Sequence, residues 1–160
     1  MKLLFTKNGG VKVEISNIEK AIEKKKKFLK RYKRNLACID RLKVKLQTLD
    51  EKIKRVKSPN YSGMPRGSVP VTVADLLSDK SDLENRIEKL TAKKSDLKHK
   101  VLEEIDTLED DRYVEVLESF FIDCKSFEDI AEDMGYQERH VIRLYSQGIE
   151  ELVNNDIVSQ

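Results

Sequence analysis

Residues 126–152 read SFEDIAEDMGYQERHVIRLYSQGIEEL, and Gly135 divides them. Before it, Phe127, Ile130, Ala131 and Met134 recur at helical spacing; after it, Val141, Leu144, Ile149 and Leu152 do the same. Ser126 followed three residues later by Asp129 is a capping-box pattern, which opens a helix by satisfying amide groups that have no partner inside it. A glycine just past the last apolar residue closes that helix, because it takes the left-handed backbone used at helix C-termini. The stretch therefore predicts two helices joined by a short turn, the second starting near residue 138. Two arrangements share this pattern. One is an ordinary helical hairpin closing a small domain; the other is the DNA-binding helix-turn-helix, whose second helix enters the major groove. Ala131 is small enough for two helices to cross closely. Its spacing of four residues to Gly135 and six more to Val141 suits the DNA-binding form.

In that form Gln137, Glu138, Arg139, His140, Ile142 and Arg143 face outward. Arg pairs with guanine edges, Gln with adenine, and Glu accepts from the cytosine amino group. Gln137, Glu138, Arg139, His140 and Arg143 are thus the candidate base readers. Lys125, Ser126 and Tyr136 are the phosphate candidates of the same module, since a helix N-terminus offers free N–H groups to an anion. Charge argues against tight binding by this module alone. From Arg112 to the end the chain carries 4 Lys/Arg against 11 Asp/Glu, and a net negative domain repels a polyanion at long range. A basic arm, a dimer partner or a polymerase has to supply the attraction.

A basic arm exists. Between Lys20 and Lys57 stand 16 Lys/Arg against 4 Asp/Glu. Within it, Ile15, Ile18, Ile22, Leu29, Tyr32, Leu36, Ile39, Leu42, Leu46, Leu49, Ile53 and Val56 form one apolar stripe, with Lys25 filling an expected apolar place. The stripe predicts a helix of roughly 60 Å, opened by a capping box at Ser16 and Glu19. Residues 58–70, SPNYSGMPRGSVP, hold all three prolines and interrupt it. A second stripe then runs through Leu76, Leu83, Ile87, Leu90, Leu97, Val101, Ile105 and Leu108, opened by Thr72 and Asp75, with Lys80 and Lys94 at its remaining seam places. Two long amphipathic helices, the first basic and the second acidic, fold back most simply as an antiparallel coiled-coil hairpin. Narrow hairpins of this kind often pair again into four-helix bundles, so a homodimer is expected.

The run Lys24, Lys25, Lys26 and Lys27 has two readings: a solvated coiled-coil face opposite acidic partners, and a face that contacts DNA phosphates. Residues 1–15 are a short β-hairpin or a tail, since Asn8-Gly9-Gly10 supplies turn chemistry before the alternation of Val11, Val13 and Ile15. Residues 112–123 predict a further helix with Val114, Leu117, Phe120 and Phe121 on one face.

The composition matches this picture. Charged residues make up 38% of the 160 residues and Trp is absent, as in long helices rather than sheets. The fold class expected is all-α, in three parts: 1–15; the hairpin 16–111 with its loop at 58–71; and the helix-turn-helix domain 112–160. Cys38 and Cys124 stand far apart and read as small apolar residues of a reducing compartment. No glycine-rich phosphate loop, metal-ligand cluster or nucleophile–base pair is present, and His99 sits between Lys98 and Lys100. Neither an enzyme nor a cofactor is expected. The opening MKLLF turns polar at Thr6, too soon for a signal peptide, and no run approaches a membrane span. The expected location is the bacterial cytoplasm, with no membrane partner.

Residues 126–152 resemble the promoter-reading region four of bacterial sigma factors, with its Ser/Thr-started first helix, apolar-Gly turn and Glu-Arg-x-Val recognition helix. Glu138, Arg139 and Arg143 match recognition-helix places in that resemblance; Ile142 stands where a polar reader is usual, and Gly148 where alanine is common. The wider chain, about residues 20–153, is similar to phage-encoded transcriptional regulators of Gram-positive bacteria in the ArpU/RinA-like group. Those regulators share a helical N-terminal half, a polar loop like Tyr61-Ser62-Gly63-Met64-Pro65, a second long helix and a terminal sigma-like module. The resemblance implies control of phage or prophage late genes, through promoter or operator DNA and host RNA polymerase. The alternative is a phage interaction protein that grips a host protein, polymerase or a defence component, through the helical hairpin without sequence-specific DNA binding of its own.

Overall fold

The computed structural model describes residues 10–57 and 72–158. These form five helices and no strand: α1 (Gly10–Lys57), α2 (Val73–Ile105), α3 (Asp111–Phe121), α4 (Phe127–Met134) and α5 (Glu138–Val158). The fold class is all-α among the described residues. No described helix is long and apolar enough to cross a membrane. The loop expected at 58–71 and the first part of the N-terminal hairpin, residues 1–9, lie outside the described residues. Val11, Val13 and Ile15, expected as its second strand, lie in α1. Alternation over five residues does not separate the two periods, because Val11 and Ile15 also stand four apart, as neighbours on a helix do. For the same reason Ser16 does not open α1, which begins at Gly10.

The chain divides into two compact units, one of residues before Arg34 and after Ser95, the other Arg34–Ser95. The second unit holds the later part of α1 and the earlier part of α2. Asn35 donates its side-chain amide to the Leu90 carbonyl at 3.0 Å, and Lys80 pairs with Asp50 at 2.7 Å. Leu49, Ile53 and Leu76 bury together, with Leu83 packed against them. Residue numbers fall on α2 as they rise on α1, the order of an antiparallel pair. Buried Asn35 uses the second lone pair of a carbonyl, a bond that only one register provides. Thr72 opens α2 as its spacing predicts. Its hydroxyl accepts from the Asp75 N–H at 3.2 Å and donates to Asp75 Oδ2 at 2.6 Å, and its backbone N–H donates to the same oxygen at 3.1 Å; the hydroxyl bond first and the backbone bond second hold the Asp75 carboxyl below its usual range.

In the first unit, α3, α4 and α5 pack around Leu117, Phe121, Ile130, Val141, Ile149 and Leu152, all essentially sealed from solvent. Each such side chain contributes roughly 1.5–3 kcal/mol by leaving water. The buried face of α3 is Val116, Leu117 and Phe121, whereas Val114 and Phe120, expected on it, are only half-buried. The boundary expected at 111/112 falls inside this unit. Leu29 and Tyr32 of α1 and Val101, Ile105 and Leu108 from the end of α2 onward are buried as well, and Lys33 lies 4.3 Å from the centre of the Phe120 ring. At Gly148 the cover is close: a Cβ there would meet Tyr113 Cβ at 3.1 Å and Leu117 Cδ1 at 3.2 Å. An alanine there would require these side chains to give by a few tenths of an ångström.

Two turns set the direction of α4. Asp110 caps α3 by accepting from the Arg112 N–H at 3.0 Å. Between α3 and α4, Cys124 takes φ +61, a left-handed backbone that costs a non-glycine residue roughly 1–2 kcal/mol. Cys124→Gly should therefore raise stability by about 0.5–1 kcal/mol, after the greater freedom of glycine in the unfolded chain is discounted. A denaturant midpoint no higher than that of the parent would contradict the strain.

Phe120, Phe121, Phe127 and Tyr145 form one aromatic cluster, with Phe120 stacked on Phe127 at 4.8 Å and Tyr145 edge-on to both. Burial first, and the Glu23 carboxylate second, push the Tyr145 phenol up to about 12. The folded state thus prefers neutral Tyr145. Its stabilisation is complete below the ordinary phenol value near 10 and is lost as pH rises from there towards 12. Tyrosinate absorbance should show one residue titrating late, and Tyr145→Phe should remove that step.

Candidate nucleic-acid interface

The geometry of the candidate site starts at Ser126. Its hydroxyl accepts from the Asp129 N–H at 3.2 Å while its own N–H donates to Asp129 Oδ2 at 3.1 Å, a complete capping box; the hydroxyl's donation to Oδ2 at 2.6 Å, and then that N–H, lower the Asp129 carboxyl pKa. At the other end of α4, Gly135 takes φ +66. The Tyr136 N–H reaches the Ala131 carbonyl at 2.9 Å and the Gly135 N–H that of Glu132 at 3.3 Å. This pair of bonds is a Schellman closure, and it needs the left-handed residue that glycine supplies without strain. Gln137 then accepts from the His140 and Val141 N–H groups and so begins α5. Ile130 and Ala131 of α4 and Val141, Leu144 and Tyr145 of α5 turn inward.

The outward face of α5 follows from that packing. Gln137, Glu138, Arg139 and Arg143 are exposed, as is Ile142, and His140 is half-buried. Arg143 lies with Nη2 3.0 Å from His140 Nδ1, and the His140 ring meets the Tyr136 ring edge-on at 4.8 Å. Arg139, His140 and Arg143, with Gly135, Tyr136 and Gln137, line an open concavity of about 650 Å³. The link between His140 and Arg143 was not anticipated, although their i, i+3 spacing on a helix is the signal for it. Of the candidate base readers, Gln137, Arg139, His140 and Arg143 line this concavity, while Glu138 is exposed but outside its lining.

The phosphate candidates do not all stay free. Lys125 pairs with Asp133 at 2.8 Å, and that carboxylate raises its ammonium above the usual lysine range. The Ser126 N–H is taken by Asp129. A phosphate at this helix start would meet Glu128 and Asp129 in the first turn, and both candidates already have a carboxylate partner. Tyr136 remains exposed.

The basic run is also divided. Lys25 is 8% exposed and forms ion pairs with Glu104 and with Asp156, the latter at 2.6 Å. Burial lowers its pKa, but the bonds to Asp156 and Glu104 outweigh that and raise it on balance. It therefore leaves the phosphate set. The sequence carried the warning, because Lys25 occupies a place in the apolar stripe. Lys24 and Lys27 are exposed and Lys26 is half-buried. Lys24→Gln with Lys27→Gln should flatten the dependence of log affinity on log salt by about 2 units if each contacts one phosphate. An unaltered slope would assign both lysines to solvent.

Among the described residues no group of three or more His, Cys, Asp or Glu side chains is placed to hold a metal ion, and Cys38 and Cys124 are free thiols. The chain matches no protein-family model, no curated protein and no solved structure.

Proposed function

We propose that this chain is a phage or prophage transcription regulator that binds promoter or operator DNA with α4, its glycine turn and α5 acting as a sigma-like helix-turn-helix. In this proposal α1 and α2 are an antiparallel coiled-coil hairpin that dimerises or contacts host RNA polymerase in the bacterial cytoplasm. One observation carries it. Residues 112–160 hold only four cations, and two of them, Arg112 and Lys125, are held by Asp110 and Asp133. Arg139 and Arg143 have no carboxylate partner among the described residues, and both stand exposed at the start of α5. In a module so rich in carboxylates, two arginines on one helix face with no carboxylate partner match the commonest reader of guanine. Gln137 and Glu138 join them as base readers, while Tyr136, Lys24 and Lys27 are the phosphate contacts that remain.

The acidic excess favours a second role, in which the hairpin grips a host protein and the module adds no DNA specificity of its own. Selection from random DNA duplexes separates the two. The regulator should enrich one sequence, alone or with polymerase present, and Arg139→Ala should relax one base of it. Enrichment of nothing under either condition would reject the DNA role.

A further inference from the structure

In the second unit the paired helices bury Ile39, Leu42, Leu49, Ile53 and Leu76 but leave part of their seam open. Leu36 and Leu46 of α1 and Leu83, Ile87 and Leu90 of α2 are only half-buried, and Val44 is 64% exposed. Two helices alone cannot close a stripe from both sides, which is why such pairs gain further helices. One side of this seam is a groove of about 490 Å³ with Val44, Leu49 and Leu83 as its apolar lining. Its rims differ in charge. The α1 rim carries Lys45 and Lys52; the α2 rim carries Asp79 and Asp82, with Arg86 one turn beyond. Lys45, Lys52, Asp79 and Asp82 have no ion-pair partner among the described residues.

We propose that this groove is the interface with a second copy of the chain, the two related by a two-fold axis along the helices. Charge selects both the occupant and the axis. A symmetric contact uses the same patch on both copies. With the axis along the helices, the lysine rim of one copy faces the aspartate rim of the other, and this happens twice. An axis across the helices would set α1 on α1 and lysine on lysine. The available surface is sufficient: a helix pair roughly 36 Å long and 20 Å wide offers about 700 Å² per copy, close to the 800 Å² or so of a standard interface. The proposal deepens the dimer part of the function given above and is independent of DNA reading.

Sedimentation of the full chain and of two variants tests it. Lys45→Glu with Lys52→Glu makes both rims acidic, and Asp79→Lys with Asp82→Lys makes both basic. Each variant alone should dimerise at least about a hundredfold more weakly than the parent, because like charges then meet twice. An equimolar mixture should form a one-to-one heterodimer, since each basic rim again faces an acidic one. That rescue excludes misfolding as the cause of the loss. Parent chains that sediment as monomers would overturn the dimer itself. Parent dimers that survive in both variants, or variants that fail to associate when mixed, would overturn this interface and leave a dimer through some other face.

Discussion

Replacing Arg139 and Arg143 together by Ala is expected to weaken binding to the selected operator by about 4 kcal/mol, or roughly a thousandfold. Each bidentate arginine–guanine pair contributes roughly 1–3 kcal/mol of discrimination. The two sit four residues apart on one helix face, so their effects couple, and the single variants should each lose less than half. Binding to unrelated duplexes should change little beyond the loss of two charges, because non-specific affinity comes from phosphates. The fold should survive. Both side chains are exposed, and among the described residues neither forms an ion pair whose loss would leave a buried charge. Operator affinity that stays within a few-fold of the parent at matched salt would remove the base-reading role from α5.

Lys25→Ala should destabilise the chain by about 2–3 kcal/mol in a denaturant melt. The lysine is nearly sealed from solvent and holds Glu104 near the end of α2 together with Asp156 near the end of α5. Its loss leaves two carboxylates close to one another without a cation. Removing one partner of a fully buried pair costs roughly 3–5 kcal/mol, and the value here is reduced because Asp156 is half in water. The pH dependence has a definite sign. Lys25 titrates above the ordinary 10.5 in the folded chain. Its stabilisation is therefore complete below the unfolded value and is lost as pH rises through the folded one. The gap between parent and variant should be constant through neutral pH and shrink in strong alkali. A variant as stable as the parent at pH 7 would show that the triad holds nothing together.

The two arginines and the lysine also show how unevenly the sequence could be read. Arg139 and Arg143 were legible because helical phase is local. Val141, Leu144, Ile149 and Leu152 mark the buried side of α5, and all four are buried, so the opposite face follows from 3.6 residues per turn. Gly135 and Ser126 were legible for a similar reason, since caps are satisfied by groups within four residues. The partners of Lys25, Lys125 and Phe120 were not. Glu104 and Asp156 lie far along the chain from Lys25, and nothing in a local pattern says which carboxylate will meet a given lysine.

What the sequence by itself determined, then, was the helical class, the glycine-punctuated pair near the C-terminus and the outward face of its second helix, all governed by short-range periodicity and capping. It left residues 1–15 as a hairpin or a tail, because five alternating residues fit a strand and a helix equally; α1 runs from Gly10. Only the tertiary structure decided which basic residues stay available. Long-range packing brought Glu104 and Asp156 to Lys25, the short α4 brought Asp133 to Lys125, and no carboxylate reached Arg139 or Arg143 among the described residues. The physical reason is that an ion pair is chosen by proximity in the folded chain, and at Lys25 burial also strips away the water that screens a surface lysine.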